Sequence, residues 1–416
     1  MVIIPVEVKS RGLESRLAIA KCLVGQGIKV LIGSERSILY IIDQISGSFV
    51  YFDKSISNNK HELYRSLKAK GCVICSLDEE ALSVVNNREG YVTKRFSSEN
   101  LELIDKVFFW GTLDKYPILA KYPDYSSKFM ITGNPRIARP YRVKQKDFDV
   151  VFISNFTVNH ASGEANFWAK LKELKRLTTL EDVQRYEGFI KEQKGKFDDF
   201  LSLIEATINK FPFKEFVVRP HPSEDLSFWK KFAQSYRNLA IDTGLNAAVD
   251  TISKSETMVH MGCTTGLESV LSGVGTIAYL PKGRVVKSIS NLVSHKAETV
   301  EEIFELVSKP ELIQSSITKL NSHLYLKSDS AKKIAFEVKA LHSLVLDRED
   351  LRIKNLSKIK LFLVKFRKYI PNNYGRMERY EFRKFSGLKS SEIRSLFASK
   401  SVAVERKAPD VFLLRK

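Results

Sequence analysis

The apolar positions in the first third of the chain alternate between short continuous runs and helically spaced stretches. The runs MVIIPVEV, KVLIGS, FVYFDKS and CVICSL are rich in β-branched and aromatic residues and predict strands. The spacing of apolar residues between them predicts helices at 13–25, 38–45 and 61–70. Strands separated by helices of this length indicate βαβ units and a parallel sheet. We therefore predict a Rossmann-like domain over residues 1–140.

A second alternating half follows a basic, polar linker at 138–148. Its predicted strands are DVVFIS, EFVVRP, TMVHM and TIAYLP, with helices at 197–210, 228–236 and from Leu267. A charged helical stretch at 168–194 is predicted to be an excursion from the sheet. These elements predict a second Rossmann-like domain over 141–350, whereas residues 351–416 lack the alternation and are predicted to be a basic helical tail. The fold class is therefore α/β, with ligands expected at the carboxyl ends of the strands.

Composition supports a soluble globular protein of two or three domains. The chain has 416 residues, of which 44% are hydrophobic and 28% charged. No apolar stretch approaches the roughly 20 residues that a membrane span needs, and no secretion signal is recognised, so a cytoplasmic location is expected. The four cysteines are too scattered for a disulfide framework, and the Cys72–Cys75 pair falls in a predicted buried strand. No metal site is expected.

The net charge of +19 is concentrated in the tail. Residues 352–416 contain 18 Lys and Arg against five Asp and Glu, which accounts for +13 of the total. Within the tail, residues 354–370 interleave apolar and aromatic side chains with lysines and arginines, which favours a contact with an anionic membrane surface. The alternative is a helix that packs on the first domain. Nucleic-acid binding is a rival suggested by the charge, but no nucleic-acid motif is present, so no nucleic-acid partner is expected.

The densest cluster of polar functional groups is the run RPHPSED, which follows a predicted strand. Arg219 and His221, held between prolines that include Pro222, suit a grip on phosphate or carboxylate. Glu224 and Asp225 add acceptors for ribose hydroxyls or a carboxylate for chemistry. An ordinary charged turn is the alternative.

A second cluster is HMGCTTGLES, in which a predicted strand ends at His260 and a glycine turn leads into a helix. Thr264 and Thr265 lie where that helix begins, a place where backbone N–H groups and the helix dipole favour anions. Glu268, one turn later, is a candidate acceptor for ribose hydroxyls. The alternative makes one threonine an N-cap and His260 a buried core histidine.

Charged residues also follow three strands of the first half. Glu7, Lys9 and Arg11 follow the first strand, and the Asp-Lys-Ser at 53–55 and the Asp-Glu-Glu at 78–80 follow later ones. The carboxyl ends of parallel strands share one edge of a sheet, so these residues predict a sugar-binding face. A solvated charged surface is the alternative.

The run SNFTVNH opens the second half at a strand end. Asn155, Asn159 and His160 are candidates for contacts with a donor, and a plain polar loop is the alternative. The chain has no phosphate-binding G-x-x-x-x-G-K-S/T loop, no G-x-G-x-x-G after a strand and no nucleophile elbow.

These motifs together resemble the bacterial surface carbohydrate biosynthesis proteins. The resemblance is carried by IPVEVKSRGLESR, IGS, YFDKSIS, LDEEAL, WG, ITGNPR, SNF, RPHPSE and HMGCTTGLE, in this order, over residues 2–281. Relatives of that family include the retaining β-Kdo transferase domains of capsule, O-antigen and lipopolysaccharide assembly. The resemblance implies a GT-B fold with the nucleotide sugar on the second half, and it does not cover the tail.

The resemblance also implies roles for individual residues. The chain is also similar to the CMP-sugar transferases, in which a His-Pro pair and a Ser/Thr pair hold the nucleotide. In this chain the matching pairs are His221-Pro222 and Thr264-Thr265. For a CMP-Kdo donor it implies a carboxylate nucleophile, with Asp225 the first candidate and Glu224 the second. Glu7 or Glu80 is then the candidate base, and Lys9, Arg11 and Lys54 lie on the acceptor side.

The predicted function is therefore a metal-independent glycosyltransferase that moves a sugar onto a lipid-linked polysaccharide acceptor at the inner face of the membrane. No cofactor is expected beyond the nucleotide sugar. A transferase that uses a UDP- or GDP-sugar and a sugar-nucleotide epimerase are the alternatives.

Overall fold

Two units of α/β structure make up the chain. The computed structural model describes residues 1–85, 87–137, 145–159, 163–173, 176–244, 247–282, 288–345, 385, 387–397 and 402–416. The first unit contains the described residues up to 137 together with those from Leu320 onward, and the second contains the described residues between 145 and 319.

The described residues form strands and helices that follow the predicted alternation. The strands are β1 (Val2–Val6), β2 (Val30–Ser34), β3 (Val50–Asp53), β4 (Val73–Leu77), β5 (Lys106–Phe109), β6 (Phe129–Ile131), β7 (Phe148–Ile153), β8 (Phe216–Arg219), β9 (Leu239–Ile241), β10 (Ser255–His260), β11 (Gly275–Tyr279), β12 (His295–Ala297), β13 (Ala403–Ala408) and β14 (Val411–Arg415). The helices are α1 (Lys9–Gly25), α2 (Glu35–Ile41), α3 (His61–Ala69), α4 (Arg88–Arg95), α5 (Ser98–Leu103), α6 (Thr112–Lys121), α7 (Gly163–Glu173), α8 (Leu180–Lys210), α9 (Leu226–Ala233), α10 (Ala248–Ile252), α11 (Thr265–Leu271), α12 (Ile289–Val293), α13 (Val300–Ser308), α14 (Ser330–His342) and α15 (Ser390–Leu396).

The first unit is built on an eight-stranded sheet with the order β13-β14-β2-β1-β3-β4-β5-β6. Strands β1 to β6 are parallel to one another, and all residues of β1, β2, β3 and β4 are buried. The chain runs from β1 to β2 on one side and then crosses to β3 on the other side of β1. Strand order therefore reverses beside β1, the type of place where open α/β sheets bind ligands.

The second unit is built on a six-stranded parallel sheet with the order β12-β11-β10-β7-β8-β9. Strand β7 has β8 on one side and β10 on the other, so the strand order reverses beside β7. The core on one face is largely aromatic, with Phe152, Phe200, Phe216 and Trp229 fully buried. The α/β class with two Rossmann-like units, predicted from the hydrophobic pattern, is confirmed.

Two features of the second unit differ from the predicted elements. Helix α8 is continuous over 31 residues, so it joins part of the predicted excursion to the predicted helix at 197–210. The buried positions of α8 lie mainly in its second half, among them Phe200, Leu203 and Ile204, which explains why only that half has an amphipathic pattern.

The chain returns to the first unit earlier than the predicted boundary at residue 350. Helix α14 packs on α1 with Ile334, Ala335 and Val338 buried, and the amino group of Met1 lies 2.7 Å from Nε2 of His342. Residues 320–345 therefore belong with the first unit, because their apolar face covers its sheet and not the sheet of the second unit.

The end of the predicted helical tail is a β-hairpin. Strands β13 and β14 are antiparallel, and β14 extends the first sheet by pairing with β2, where Phe412 lies opposite Ile32. The approach is close at Gly33, where an added Cβ would lie 2.2 Å from the carbonyl oxygen of Asp410. The short helix α15 precedes the hairpin, whereas the stretch at 354–370 with the predicted membrane contact lies outside the described residues.

Candidate functional site

A charged cavity of about 600 Å³ lies at the carboxyl ends of the strands in the first unit. It is placed where the strand order reverses beside β1, and each of four strands there contributes a residue from within three positions of its carboxyl end. These are Glu7 after β1, Glu35 after β2, Lys54 after β3 and Glu80 after β4. The predicted polar face at these strand ends thus corresponds to one cavity.

Ion pairs connect the residues around one side of this cavity. The Lys54 ammonium contacts the carboxylates of Glu7 and Glu35, the latter at 3.1 Å. Lys60 lies 3.0 Å from Glu35 and 2.7 Å from the fully buried Asp53. Burial lowers the pKa of Lys60, but the two carboxylates outweigh that effect and raise it, so Lys60 remains charged.

On the other side, two arginines line the cavity and the buried Arg16 pairs with a lining carboxylate, so that each of the three has its own partner. Arg11 contacts Glu80 at 2.7 Å, and Nε of the buried Arg16 contacts Glu79 at 3.2 Å. Arg95 makes a two-point contact with Asp78, at 2.5 and 2.6 Å.

At the Arg95–Asp78 pair, burial and the neighbouring positive charge have opposite effects on the pKa of Asp78. Burial raises the pKa of Asp78, and the Arg95 guanidinium offsets only part of that shift. Ion pairs in such a buried setting repay their loss of hydration only when their geometry is good, as it is here.

Lys9 lies apart from the cavity, although the sequence placed it on the acceptor side. Its ammonium contacts Glu392 of α15 at 2.5 Å and the carbonyl oxygen of Gly387 at 2.6 Å. It therefore fastens the C-terminal segment to the start of α1. Conversely, Glu35, Lys60 and Arg95 line the cavity and were not predicted. Glu35 directly follows a predicted strand and could have been found, whereas Lys60 and Arg95 have no strand-end signal.

In the second unit, the polar loops after β7, β8 and β10 lie side by side because these strands are neighbours at the centre of the sheet. The loop after β8 contains a turn closed by a hydrogen bond from the Glu224 amide to the carbonyl of His221, with Pro222 inside the turn. Nδ1 of His221 accepts a hydrogen bond of 3.2 Å from the Ser223 amide. In the neutral ring this arrangement places the proton on Nε2 of the half-buried His221.

Glu224 is the centre of a buried hydrogen-bond network. Its carboxylate accepts from Ser154 Oγ at 2.7 Å, the Phe156 amide at 2.8 Å, Asn159 Nδ2 at 3.2 Å and Trp229 Nε1 at 2.8 Å. Burial raises the pKa of Glu224, and these donors offset part of the shift. Its side chain has no exposed surface, which suits a residue that holds the loops after β7 and β8 in place and not the nucleophile predicted as second candidate.

Asp225 is half-buried and caps helix α9. Its Oδ1 accepts from the amide of Ser227 at 2.9 Å and from the Ser227 hydroxyl at 2.6 Å, and its own amide donates to the Asn159 carbonyl at 2.7 Å. The carboxylate is thus fixed at the end of the loop, at the N-terminus of α9.

Arg219, which was predicted to bind phosphate, forms an ion pair with a carboxylate inside the protein. Its guanidinium contacts Asp242 at 2.5 Å, and Asp242 also accepts from the Thr251 hydroxyl and the Gly244 amide. Arg219 is buried, so this geometry joins β8 to the loop after β9. A sequence motif shows the cation but not the distant carboxylate that neutralises it.

His260 was predicted as a donor contact and is instead a buried residue that shapes the loop after β10. Nδ1 accepts from the Gly262 amide at 2.9 Å, and Nε2 lies 2.9 Å from Ser294 Oγ. Burial lowers the pKa of His260 to about 3. An added Cβ at Gly266 would lie 2.5 Å from Nε2, so the glycine is required for the ring to fit.

The remaining predicted donor residues differ in exposure. Thr264 and Asn155 are exposed, whereas Thr265 is half-buried and its hydroxyl lies 3.1 Å from Sγ of Cys263. Glu268 is buried within α11. His160 lies outside the described residues. The predicted residues that keep surface at these loops are therefore Asn155, Asn159, His221, Pro222, Asp225, Thr264 and Thr265.

Comparisons with known proteins give structural likeness only. No family model and no curated protein matches the sequence. The UDP-GlcNAc 2-epimerase of Neisseria meningitidis is 13% identical, with a TM-score of 0.46 over 82% of this chain and 100% of that chain. The wall teichoic acid polymerase TagF is 9% identical, with a TM-score of 0.49 over 83% of this chain and 90% of that chain.

A further match is to an accessory secretory protein structure of Streptococcus pneumoniae, 10% identical with a TM-score of 0.33. It covers 78% of this chain and 54% of that chain. At these identities and TM-scores the likeness assigns no activity to this chain. None of the described helices is both long and apolar enough to cross a membrane.

We predict that acid destabilises the second unit through His260. Its folded pKa of about 3 lies below the ordinary 6.5, so its contribution to stability is complete above pH 6.5 and is lost as the pH falls toward 3. The free energy of unfolding should fall by about 1.4 kcal/mol per pH unit in this window because of this residue. Amide hydrogen exchange of the second unit measures the effect.

His260→Gln should lower stability at pH 7 and remove this part of the pH dependence, because the glutamine cannot take up a proton. His323→Gln, at an exposed position in the first unit, is the matched control. An unchanged slope in His260→Gln would contradict the assignment.

Proposed function

We propose that the chain is a glycosyltransferase that moves a sugar from a nucleotide-sugar donor during the assembly of a bacterial surface polysaccharide. The observation that carries the proposal is the position of the polar loops. In each of the two Rossmann-like sheets, polar loops lie where the strand order reverses. The loops of the first unit line a charged cavity, and those of the second contain a rigid His-Pro turn beside a threonine turn. Such positions are where open α/β sheets bind their ligands.

The second unit is proposed to hold the nucleotide. His221 can donate from Nε2 to a phosphate oxygen, and the exposed hydroxyl of Thr264 supplies a second donor from the neighbouring loop. Asn155, also exposed, lies at the end of the strand between them. Because Glu224 fixes the loops after β7 and β8, these donors need little reorganisation to receive a phosphate.

The specific form of the proposal is the transfer of Kdo from CMP-Kdo to a lipid-linked acceptor, with retention. Asp225 attacks the anomeric carbon as the bond to the phosphate oxygen breaks, and CMP leaves with that electron pair. The acceptor hydroxyl then displaces Asp225 and gives its proton to a base, for which Glu7 and Glu80 are the candidates. The resemblance of the RPHPSE and HMGCTTGLE motifs to retaining Kdo transferases supports this form.

We predict that His221→Ala and Thr264→Ala each weaken nucleotide binding by about 1–3 kcal/mol, because each removes a hydrogen bond to a charged phosphate. Thermal shift with CMP, UDP and GDP measures binding, since a ligand that binds only the folded state stabilises it. The exposed His323 and Thr318 offer matched alanine controls away from these loops. If both variants bind each nucleotide as the parent does, the nucleotide site is placed wrongly.

We predict that Asp225→Asn abolishes transfer while nucleotide binding and stability stay near those of the parent, because asparagine caps a helix as well as aspartate does. Mass spectrometry of the parent with donor alone should show a sugar adduct on Asp225. An adduct on another residue, or inversion at the anomeric carbon, would overturn the retaining mechanism. Turnover of a nucleotide sugar without any acceptor would favour an epimerase.

The basic stretch at 354–370 is proposed to contact an anionic membrane, where a lipid-linked acceptor is found. Each basic residue near such a surface contributes on the order of 1 kcal/mol. Truncation is a poor test, because removing the end of the chain also removes the hairpin that pairs with β2. Replacing Lys354, Lys358 and Lys365 by glutamine leaves the hairpin in place.

We predict that the parent floats with phosphatidylglycerol vesicles at low salt and that the triple glutamine variant floats several-fold less. Replacement of the exposed Lys29, Lys231 and Lys319 by glutamine is the control for net charge. A parent that does not float with anionic vesicles at low salt refutes the membrane contact.

A further inference from the structure

Every cation that lines the cavity of the first unit is already neutralised by a carboxylate. The lysines and arginines are paired as described, Arg11 with Glu80, Lys54 with Glu7 and Glu35, Lys60 with Asp53 and Glu35, and Arg95 with Asp78. An anionic group that entered this cavity would have to displace a carboxylate from a close ion pair. It would also bring the displaced carboxylate near its own charge, which is unfavourable at such short range.

The number of charges around the cavity also disfavours an anionic ligand. The lining residues and their buried partners comprise five cations, Arg11, Arg16, Lys54, Lys60 and Arg95. They also comprise six carboxylates, Glu7, Glu35, Asp53, Asp78, Glu79 and Glu80. The cavity is therefore slightly negative, although the whole chain carries +19. The excess positive charge of the protein thus gives no reason to expect a phosphate here.

Unused hydrogen-bonding atoms lie in this same cluster. Nε of Arg11 and Oε2 of Glu79 belong to lining residues and Nη1 of Arg16 to the residue paired with Glu79; all three atoms are buried and have no hydrogen-bond partner among the described residues. Arg16 is 1% exposed, and its Nε already contacts the other oxygen of Glu79. Two donors and one acceptor without partners in one charged cluster are costly to leave unmatched.

A hydroxyl group matches this set, because it donates one hydrogen bond and accepts others without adding charge. A phosphate or a carboxylate would satisfy the donors but would oppose Glu79. A cavity of about 600 Å³ is also within the range that holds a small ligand of one or two sugar rings.

We infer that the cavity of the first unit binds a neutral, polyhydroxylated sugar and discriminates against phosphorylated or acidic sugars. Identifying this sugar as the end of the glycan acceptor rests on the proposed function, whereas the binding itself does not. The acceptor of the reaction thus presents a neutral sugar to the enzyme, whatever anionic groups it carries farther along.

Saturation-transfer NMR of the full chain, without nucleotide, tests this inference. The probes are the methyl glycosides of glucose, galactose and N-acetylglucosamine, and for comparison the methyl glycoside of glucuronic acid and glucose 6-phosphate. At least one neutral glycoside should bind, and the two acidic probes should bind at least about tenfold more weakly, the factor expected when one charged contact becomes unfavourable.

Two variants place the binding in the cavity. Glu79→Gln should weaken binding of the neutral probe about tenfold, because it removes the charged acceptor. Leu39→Trp fills the cavity from a partly exposed lining position without changing any charge, and should abolish binding even if Glu79→Gln folds poorly. Glu62→Gln and Leu312→Trp, at exposed positions outside the cavity, are matched controls that should bind as the parent does.

Acidic probes that bind as well as neutral ones, binding unaffected by Leu39→Trp, or no binding of any neutral glycoside would each overturn the inference. The outcome is separate from that of the proposed function. If the neutral sugar binds in the cavity but no nucleotide stabilises the protein, the inference stands and the transferase proposal falls.

Discussion

The burial of charge at the carboxyl ends of parallel strands is the constraint on which both candidate sites depend. A parallel sheet covered on both faces leaves its strand ends as the place where polar groups can gather. Charged groups held there lose part of their hydration, so each needs a partner within the protein or in a ligand. The residues after β1, β3, β7 and β8 are all found in such pairs or networks.

The two units meet this constraint with different chemistry. In the first unit the charged groups are paired with each other, since arginines and lysines each contact a carboxylate around the cavity. In the second unit the Arg219–Asp242 ion pair stands beside Glu224, whose carboxylate is surrounded by neutral donors, and His260, which burial keeps neutral. An ionic lining offers many alternative partners to hydroxyl groups, whereas a rigid neutral network keeps a few donors in fixed places. This difference is why we propose a sugar for the first and a phosphate for the second.

Strand ends could be predicted from the sequence, but the partners of the residues there could not. Each apolar run of β-branched residues became a strand, and the polar residue after it lay at the sheet edge, as with Glu7 and Lys54. Arg219, however, was predicted to face a ligand and contacts Asp242, a carboxylate from the loop after the neighbouring strand. Burial and pairing are properties of the folded chain, and a local motif contains only one member of each pair.

The C-terminal segment shows the same limit at the level of the fold. Its strands β13 and β14 have no alternation with helices, and β14 pairs with β2, from which it is separated by most of the chain. The apolar run of β2 predicts a strand, but nothing in either segment predicts which distant strand it pairs with.

The segment nevertheless reaches the candidate site. Lys9, the first residue of α1, contacts Glu392 and Gly387, and Asp410 Oδ1 accepts from the Leu388 amide next to Gly387. Residues from the end of the chain therefore fix the start of α1, between Glu7 and Arg11 of the cavity. Its geometry at the cavity then depends on a part of the chain that the resemblance to known families does not cover.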